Sequence, residues 1–567
     1  MDNKLPPKSS ERRKFVIPNS NSENDIDFNG SKMKSSNNRK HALPHRIRQV
    51  IDKFTSDNSA FDALTHFLRR ANSASNVDLR SPFFDKDLPR PKIVEKFDAI
   101  FNLKMKDLAP ELVSLELAER KKISPFSIRL SWADRKSTVL PYFAKKSWNP
   151  DPDCFRKAVE TTKKLLPLHR IRPISLDRAY QMSPKSTNWG LPFFKRGKEF
   201  GHLYVQEAQD FLNNRKIIKY PCVLGWRGQP SGTDIPKQRV VWMYPHSIVL
   251  LELMFLRPLL EELRMTPEFA AWNQLHIVDS VVSRIIRFGV ELNQPIIGID
   301  FSAYDASLHP ELVKASYDCL RAWVQSDYHW LLDILQDYLI TSDLLTPDTL
   351  FTHRNGGMPS GSGFTNLTDS MCQIIAFHYT AERLNVPEHL RMFTVCGDDG
   401  VWLLPGLTPR ISNELSAELG LTSHPDKQSF GNYAMFCQRI FLPEYSSSGV
   451  YPGIRSLYRT LNGMLSYETR PGGGIWIDKM DTCRWISQIE NSANHPLFED
   501  FVEFAIQGDS KYHLGRGYPG GIKGLFRDTG GVKKLLDVTG SSSFIYSQAI
   551  RSDDDLSKLK IAKYINR

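Results

Sequence analysis

The chain has 567 residues, 41% of them hydrophobic and 24% charged, which is ordinary for a soluble protein with a sizeable core divided over several lobes. Its net charge of +11 favours a polyanionic partner over charge spread evenly for solubility. Seven cysteines without a C-x-x-C pair argue against a zinc knuckle and for free thiols in a reducing compartment, and no apolar leader opens the chain.

Residues 1–45 are rich in Ser, Asn, Lys and Arg, and the first fifty residues carry eleven Lys or Arg. They read as a basic flexible segment, free in solvent or a docking arm. Residues 46–290 mix helical patterns with short strands. The stretch from Val240 to Leu260 is the most apolar, but Pro245, Glu252, Arg257 and Pro258 interrupt it. It is predicted as a buried helix over 247–263 with a kink near Pro258, not as a membrane span. Lys237 and Arg239 alternate along an extended segment, so both side chains point to one face. Guanidinium suits bidentate phosphate contact, and ammonium acts as a point charge.

Residues 291–445 predict strand 296–300, helix 310–325, helix 363–382, strands 391–396 and 400–404, and helix 409–419. The first strand, Ile296-Ile297-Gly298-Ile299, ends in Asp300, and Asp305 follows five residues later. Gly356-Gly357-Met358-Pro359-Ser360-Gly361-Ser362-Gly363 reads as a flexible loop. Helical spacing then begins, with Thr365 and Asp369 on one face. A Gly-rich loop opening a helix lets backbone approach a nucleic-acid strand closely. Met392-Phe393-Thr394-Val395 and Val401-Trp402-Leu403-Leu404 flank Cys396-Gly397-Asp398-Asp399-Gly400, which reads as a hairpin with two carboxylates at its tip. Adjacent like charges repel, and a divalent cation makes them favourable. If the two acidic strand ends are neighbours, Asp300 and Asp398 can share two metal ions, the chemistry of nucleotidyl transfer. Residues 446–567 read as mostly helical, with Gly-rich loops at 470–474 and 515–521, where Tyr518 is a candidate stacking residue.

These residue sets resemble motifs A, B and C of the viral RNA-dependent RNA polymerases, in their usual order. Lys237-Gln238-Arg239-Val240-Val241-Trp242, with Arg227 ahead of it, is similar to motif F. Ser186-Thr187-Asn188-Trp189-Gly190-Leu191-Pro192 is similar to motif G. His424-Pro425-Asp426-Lys427-Gln428 resembles motif D, and Phe436-Cys437-Gln438-Arg439 resembles motif E. Asp-Phe-Ser-x-Tyr-Asp, Ser-Gly-Ser-x-Phe-Thr-Asn-Leu-x-Asp-Ser and Gly-Asp-Asp-Gly look most like the picobirnavirus enzymes and next like the partitivirus ones, both from double-stranded RNA viruses.

The resemblance implies an α/β (α+β) right-hand polymerase fold. Its fingers would occupy 46–290, with an N-terminal extension. Its palm, built on a small antiparallel sheet, would occupy 291–445 with a fingers insertion around 326–355, and its thumb 446–567. It implies two Mg²⁺ or Mn²⁺ ions on Asp300, Asp398 and Asp399, the last at longer range, and Lys427 as proton donor to pyrophosphate. Arg227, Lys237, Arg239, Asp305, Ser360, Thr365 and Asp369 would bind the ribonucleoside triphosphate. Ser186, Thr187, Gly190, Gly361 and Arg439 would touch template or primer. Many relatives carry Asn at the Asp369 position, and an ionised Asp only accepts hydrogen bonds. The implied partners are an RNA template, the product duplex and a capsid protein, with no membrane; the implied setting is the virion interior and host cytoplasm, with primer-independent initiation. Two alternatives stand beside this reading. A reverse transcriptase shares the palm but commonly carries Tyr-x-Asp-Asp, where Gly397 stands here. A basic structural RNA-binding protein needs the charge but not the ordered carboxylates.

Overall fold

Alternation of apolar side chains explains how the central sheet is covered on both faces. The computed structural model describes residues 43–85, 87–423, 428–469, 476–539, 550 and 552–567. Strands β3 (Ile296–Ile299), β6 (Met392–Cys396), β7 (Asp399–Leu403) and β8 (Ser429–Gly431) form an antiparallel sheet of order β6-β7-β3-β8. Successive strand residues point to opposite faces. Ile297, Ile299, Phe393, Val395 and Trp402 belong to the core shared with the helix Thr365–Arg383, where Phe377 lies 4.1 Å from Phe393 ring to ring. Ile296, Val401 and Leu403 turn the other way, onto Val278, Val282, Ile285 and Ile286 of the helix Leu275–Glu291. The helix Thr365–Arg383 is buried along almost its whole length, because the sheet covers one side and the helix Pro152–Lys163 another.

A second sheet has the order β2-β1-β4-β5. In it β1 (Cys222–Gln229) pairs antiparallel with β2 (Lys237–Met243) and parallel with β4 (Leu344–Leu345), which forms a hairpin with β5 (Leu350–Phe351). The segment 344–351 therefore joins the sheet that carries Lys237 and Arg239. The third sheet, β9 (Ala434–Phe436), β10 (Arg439–Phe441) and β11 (Ile454–Arg455), leads into the C-terminal helices. The helix His246–Leu263 runs through Pro258 and is buried from Ser247 to Phe255. No described helix is long and apolar enough to cross a membrane.

Within the stretch read as N-terminal extension and fingers, the helices Arg90–Lys104 and Pro110–Lys121 pack with the C-terminal helices. Phe97 stands 5.0 Å from Tyr458 and 5.1 Å from Phe501, ring centre to ring centre. Glu116, fully buried, accepts from the backbone N–H of Leu457 (2.7 Å) and Tyr458 (3.2 Å) and from Ser456 Oγ (2.7 Å). Those groups open the helix Leu457–Leu465, whose first N–H groups need acceptors and whose dipole favours an anion there. Residues 83–112 thus share one core with the C-terminal helices.

Candidate active site

Backbone register brings the acids together. In the β6–β7 hairpin Cys396 pairs with Asp399, leaving a two-residue turn, Gly397-Asp398. Gly397 has φ +66°, the first position of a type II′ turn, which matches the strand twist. Gly397 N–H donates to Ser370 Oγ (2.8 Å), and Gln373 Nε2 donates to the Asp398 carbonyl (3.3 Å), so the long buried helix holds the turn from below. On its other side β7 pairs with β3, Gly400 opposite Ile299. Asp300 is the next residue of that strand line, beside Asp399. The acidic residue predicted at the tip, Asp399, is in fact the first residue of β7, and only Asp398 stands in the turn.

The electrostatics follow from this crowding. Burial first, then the charges of Asp398 and Asp300, push the Asp399 carboxyl up to about 7. Asp398 is also raised, by the walls of the cleft and by Asp300. Arg239 opposes both shifts, and it opposes that of Asp305 as well, so its guanidinium faces all three acids. Lys237 and Arg239 project outward from β2 while Gln238 between them is buried, donating to the Pro236 carbonyl (2.9 Å). Arg227 lies opposite Arg239 in the register, but its Nε is paired with Glu468 at 2.7 Å.

Asp305 sits in the short helix Tyr304–Ser307, and burial followed by Asp398 raises it to about 6. Its carbonyl accepts from Met358 N–H (2.6 Å). Tyr304 Oη donates to the Asp369 carbonyl (2.9 Å). Asp369 is 5% exposed, its Oδ1 has no hydrogen-bond partner, and burial with Asp305 and Asp398 lifts its carboxyl well above the usual range. Both effects favour its neutral form, and a neutral Asp369 donates as well as accepts, where an ionised one only accepts.

Two buried ionisable side chains hold the Gly-rich loop by its ends. Arg354, 2% exposed, donates to the carbonyls of Gly356 (3.0 Å) and Gly357 (2.9 Å) and to those of Ser342 and Leu339. Glu252 accepts from Ser362 Oγ (2.7 Å) and Gly363 N–H (2.6 Å). Between them Ser360 Oγ accepts from Trp242 N–H (3.3 Å), and Gly361 lies so close to the Trp242 carbonyl that a Cβ would stand 1.8 Å from it. The loop is thereby docked on the strand that carries Arg239. Thr365 Oγ1 donates to the carbonyls of Ser362 (2.9 Å) and Pro359 (3.2 Å), closing the loop onto its helix.

Comparison with known proteins agrees with this geometry. The model described as "Viral RNA-dependent RNA polymerase" matches residues 155–518, more than half of the chain. The chain belongs to the viral RNA-dependent RNA polymerase family. A human picobirnavirus protein, "Potential RNA-dependent RNA polymerase", is 27% identical over 469 residues, 79% of this chain and 84% of the relative. The RNA-directed RNA polymerase of Cryptosporidium parvum virus 1 is 25% identical over 266 residues, covering 45% of this chain and 50% of that one. The crystal structure of the RNA-dependent RNA polymerase of a human picobirnavirus shares the fold, with TM-score 0.75 and 23% identity over 91% of this chain and 98% of that one. The chain is an RNA-directed RNA polymerase with the right-hand architecture, and it binds RNA and nucleotides. Polymerases of this family use divalent metal ions.

Two residues expected at the polymerase's template or primer lie elsewhere. Arg439 is 4% exposed, with its guanidinium paired to Asp279 at 2.7 Å and set over Phe441, so it ties β10 to the helix Leu275–Glu291. Gly190 is buried under Tyr244, whose carbonyl oxygen would stand 2.8 Å from a Cβ, so it is a packing point. Ser186 and Thr187 ahead of it are exposed. Lys427, together with the rest of 424–427, lies outside the described residues, as does the loop at 470–474. The sequence reading passed over Arg354, Glu252 and Tyr142. Glu252 had a signal, since an acid inside an otherwise apolar helix needs a buried partner.

Proposed function

We propose that this polymerase joins ribonucleotides by two-metal nucleotidyl transfer at Asp300 and Asp398, without a primer. The observation that carries the reading is the meeting of Asp300, Asp398 and Asp399 at one end of a sheet, facing Arg239. Among the described residues no group of three His, Cys, Asp or Glu side chains is placed to hold a metal ion by itself. Asp300 and Asp398 would hold Mg²⁺ or Mn²⁺ only with waters and substrate phosphates completing the shell. All three donors are hard oxygens, and burial together with neighbouring carboxylates raises Asp398 and Asp399, a cost that a divalent cation relieves.

Asp300 and Asp398 would hold such ions, whose charge would favour ionisation of a 3′ hydroxyl and departure of pyrophosphate. The chain's own residues do the rest. Arg239 and Lys237 hold the triphosphate, Arg239 by its fork and Lys237 by charge. Asp305, Asp369 and Thr365 read the ribose, Ser360 and Gly361 meet the templating pair, and Ser186 and Thr187 line the template path. Lys427 would protonate pyrophosphate. The basic N-terminal segment would face RNA or the capsid protein in the virion interior and host cytoplasm. The test is Asp398→Asn with purified protein, a labelled single-stranded RNA template, the four triphosphates and Mg²⁺ or Mn²⁺, with no primer. Synthesis should fall by a factor of about 1,000 or more while RNA binding is kept. Retained synthesis would remove Asp398 from the metal site, and a wild-type enzyme that needs a primer would remove primer independence.

A further inference from the structure

Tyr142 lies outside every motif read in the sequence, yet it borders the nucleotide site. It belongs to the short helix Leu140–Phe143, which packs against Tyr304–Ser307, the helix of Asp305. Its ring stands 5.3 Å from that of Trp242, tilted by 59°. A point where Gly357 would carry a Cβ is 3.4 Å from Tyr142 Cδ1 and 3.2 Å from the Asp305 carbonyl oxygen, so the tyrosine and the acid flank one glycine.

Its surroundings are short of hydrogen bonds. The phenol sits in the field of Asp305, Asp369 and Arg239, with the indole N–H of Trp242 beside it. Burial and the two acids raise the phenol above its ordinary value, so it stays a donor. Nearby, Asp369 Oδ1 is buried without a hydrogen-bond partner. Buried polar atoms almost always have partners, so this orphan beside the nucleotide site points to a ligand that supplies one. A ribose offers hydroxyls that both donate and accept. Asp305 offers an acceptor, and the phenol and the neutral Asp369 offer donors.

We infer that Tyr142 is a specificity-determining residue for the sugar, its hydroxyl contacting the 2′ hydroxyl of the incoming ribonucleoside triphosphate beside Asp305 and Asp369. This rests on the ribose reading of those two acids. A segment ahead of all the motifs would then take part in choosing RNA precursors over DNA precursors.

The test compares Tyr142→Phe, Asp305→Ala and the unchanged enzyme, each with ribo-, 2′-deoxyribo- and 3′-deoxyribonucleoside triphosphates on one RNA template. Phenylalanine keeps the ring against Trp242 and Gly357, so thermal melting should be unchanged. Tyr142→Phe should lower the preference for ribo over 2′-deoxyribo substrate by about two- to tenfold, through a higher KM for the ribonucleotide, as loss of one neutral hydrogen bond gives. An equal loss on all three substrates marks a packing role and overturns the inference. Unchanged discrimination in Tyr142→Phe with relaxed discrimination in Asp305→Ala overturns it and leaves the ribose reading standing. If neither variant changes discrimination, both fall.

Discussion

Replacing Glu252 by glutamine should make the protein's stability less dependent on pH. Glu252 is completely buried, and burial pushes its carboxyl up to about 8, although Ser362 and the N–H groups of Gly363 and Phe364 pull the other way. The folded protein therefore keeps this proton up to about pH 8, whereas the unfolded chain releases it near the ordinary value of 4.5. Across that window the folded state binds more protons, so stability is full below 4.5 and falls as pH rises through 8. At 1.36 kcal/mol per pH unit the whole window is worth about 5 kcal/mol, and the part from pH 5 to 8 about 4 kcal/mol. Glutamine has the same shape and no charge to bury. Its carbonyl accepts from Gly363 N–H and its amide donates to Ser362 Oγ, so the loop keeps its anchor. For a chain of this size the unfolding entropy is roughly 1 kcal/mol per degree, so the melting temperature of Glu252→Gln should gain about 4 °C on that of the unchanged protein between pH 5 and pH 8. Calorimetric scans at pH 5, 6.5 and 8 at one fixed rate measure it. A difference that stays constant with pH, or shrinks as pH rises, refutes the neutral buried acid.

Two further outcomes follow from the site. Arg239→Ala should raise KM for the triphosphate by at least about tenfold, the cost of a charge-assisted hydrogen bond, with a smaller change in template affinity; steady-state kinetics with unchanged KM and kcat would take Arg239 out of the phosphate site. Asp369→Asn should keep synthesis within about threefold while Asp369→Ala loses more than about tenfold, because an amide replaces a neutral acid without changing charge or shape. Equal losses in single-nucleotide incorporation would mean that Asp369 works ionised.

Local patterns were legible in the sequence, and distant partnerships were not. The hairpin around Gly397-Asp398 follows from two apolar runs and a glycine, and the structure moves its bounds by a single residue at Asp399. The lining up of Lys237 with Arg239 follows from strand alternation alone. Arg439 shows the limit. As a basic residue at the start of β10 it reads as a phosphate contact, and only Asp279, 160 residues away, reveals that its charge is already used. The same holds for Arg227 with Glu468, 241 residues apart. Tyr142 gives no sign in sequence, since its neighbours Trp242, Asp305 and Gly357 all come from later segments. Glu116 reads as one more acid on a surface helix, because the helix it caps begins 341 residues downstream.

That cap sets an order of events during synthesis. The aromatic face of Phe97 and Phe101 leaves the ribosome early, and its partner Phe501 is made about 400 residues later. At ~5–20 residues per second the wait is roughly 20–80 s, during which the early helices present an unmatched apolar stripe and Glu116 has no N–H groups to accept from. Translation must pass Phe501 before the helices Arg90–Lys104 and Pro110–Lys121 have the core they pack on. A chain cut short before the helix Phe498–Gly508, even with Asp300 and Asp398 intact, leaves those two helices without part of that core.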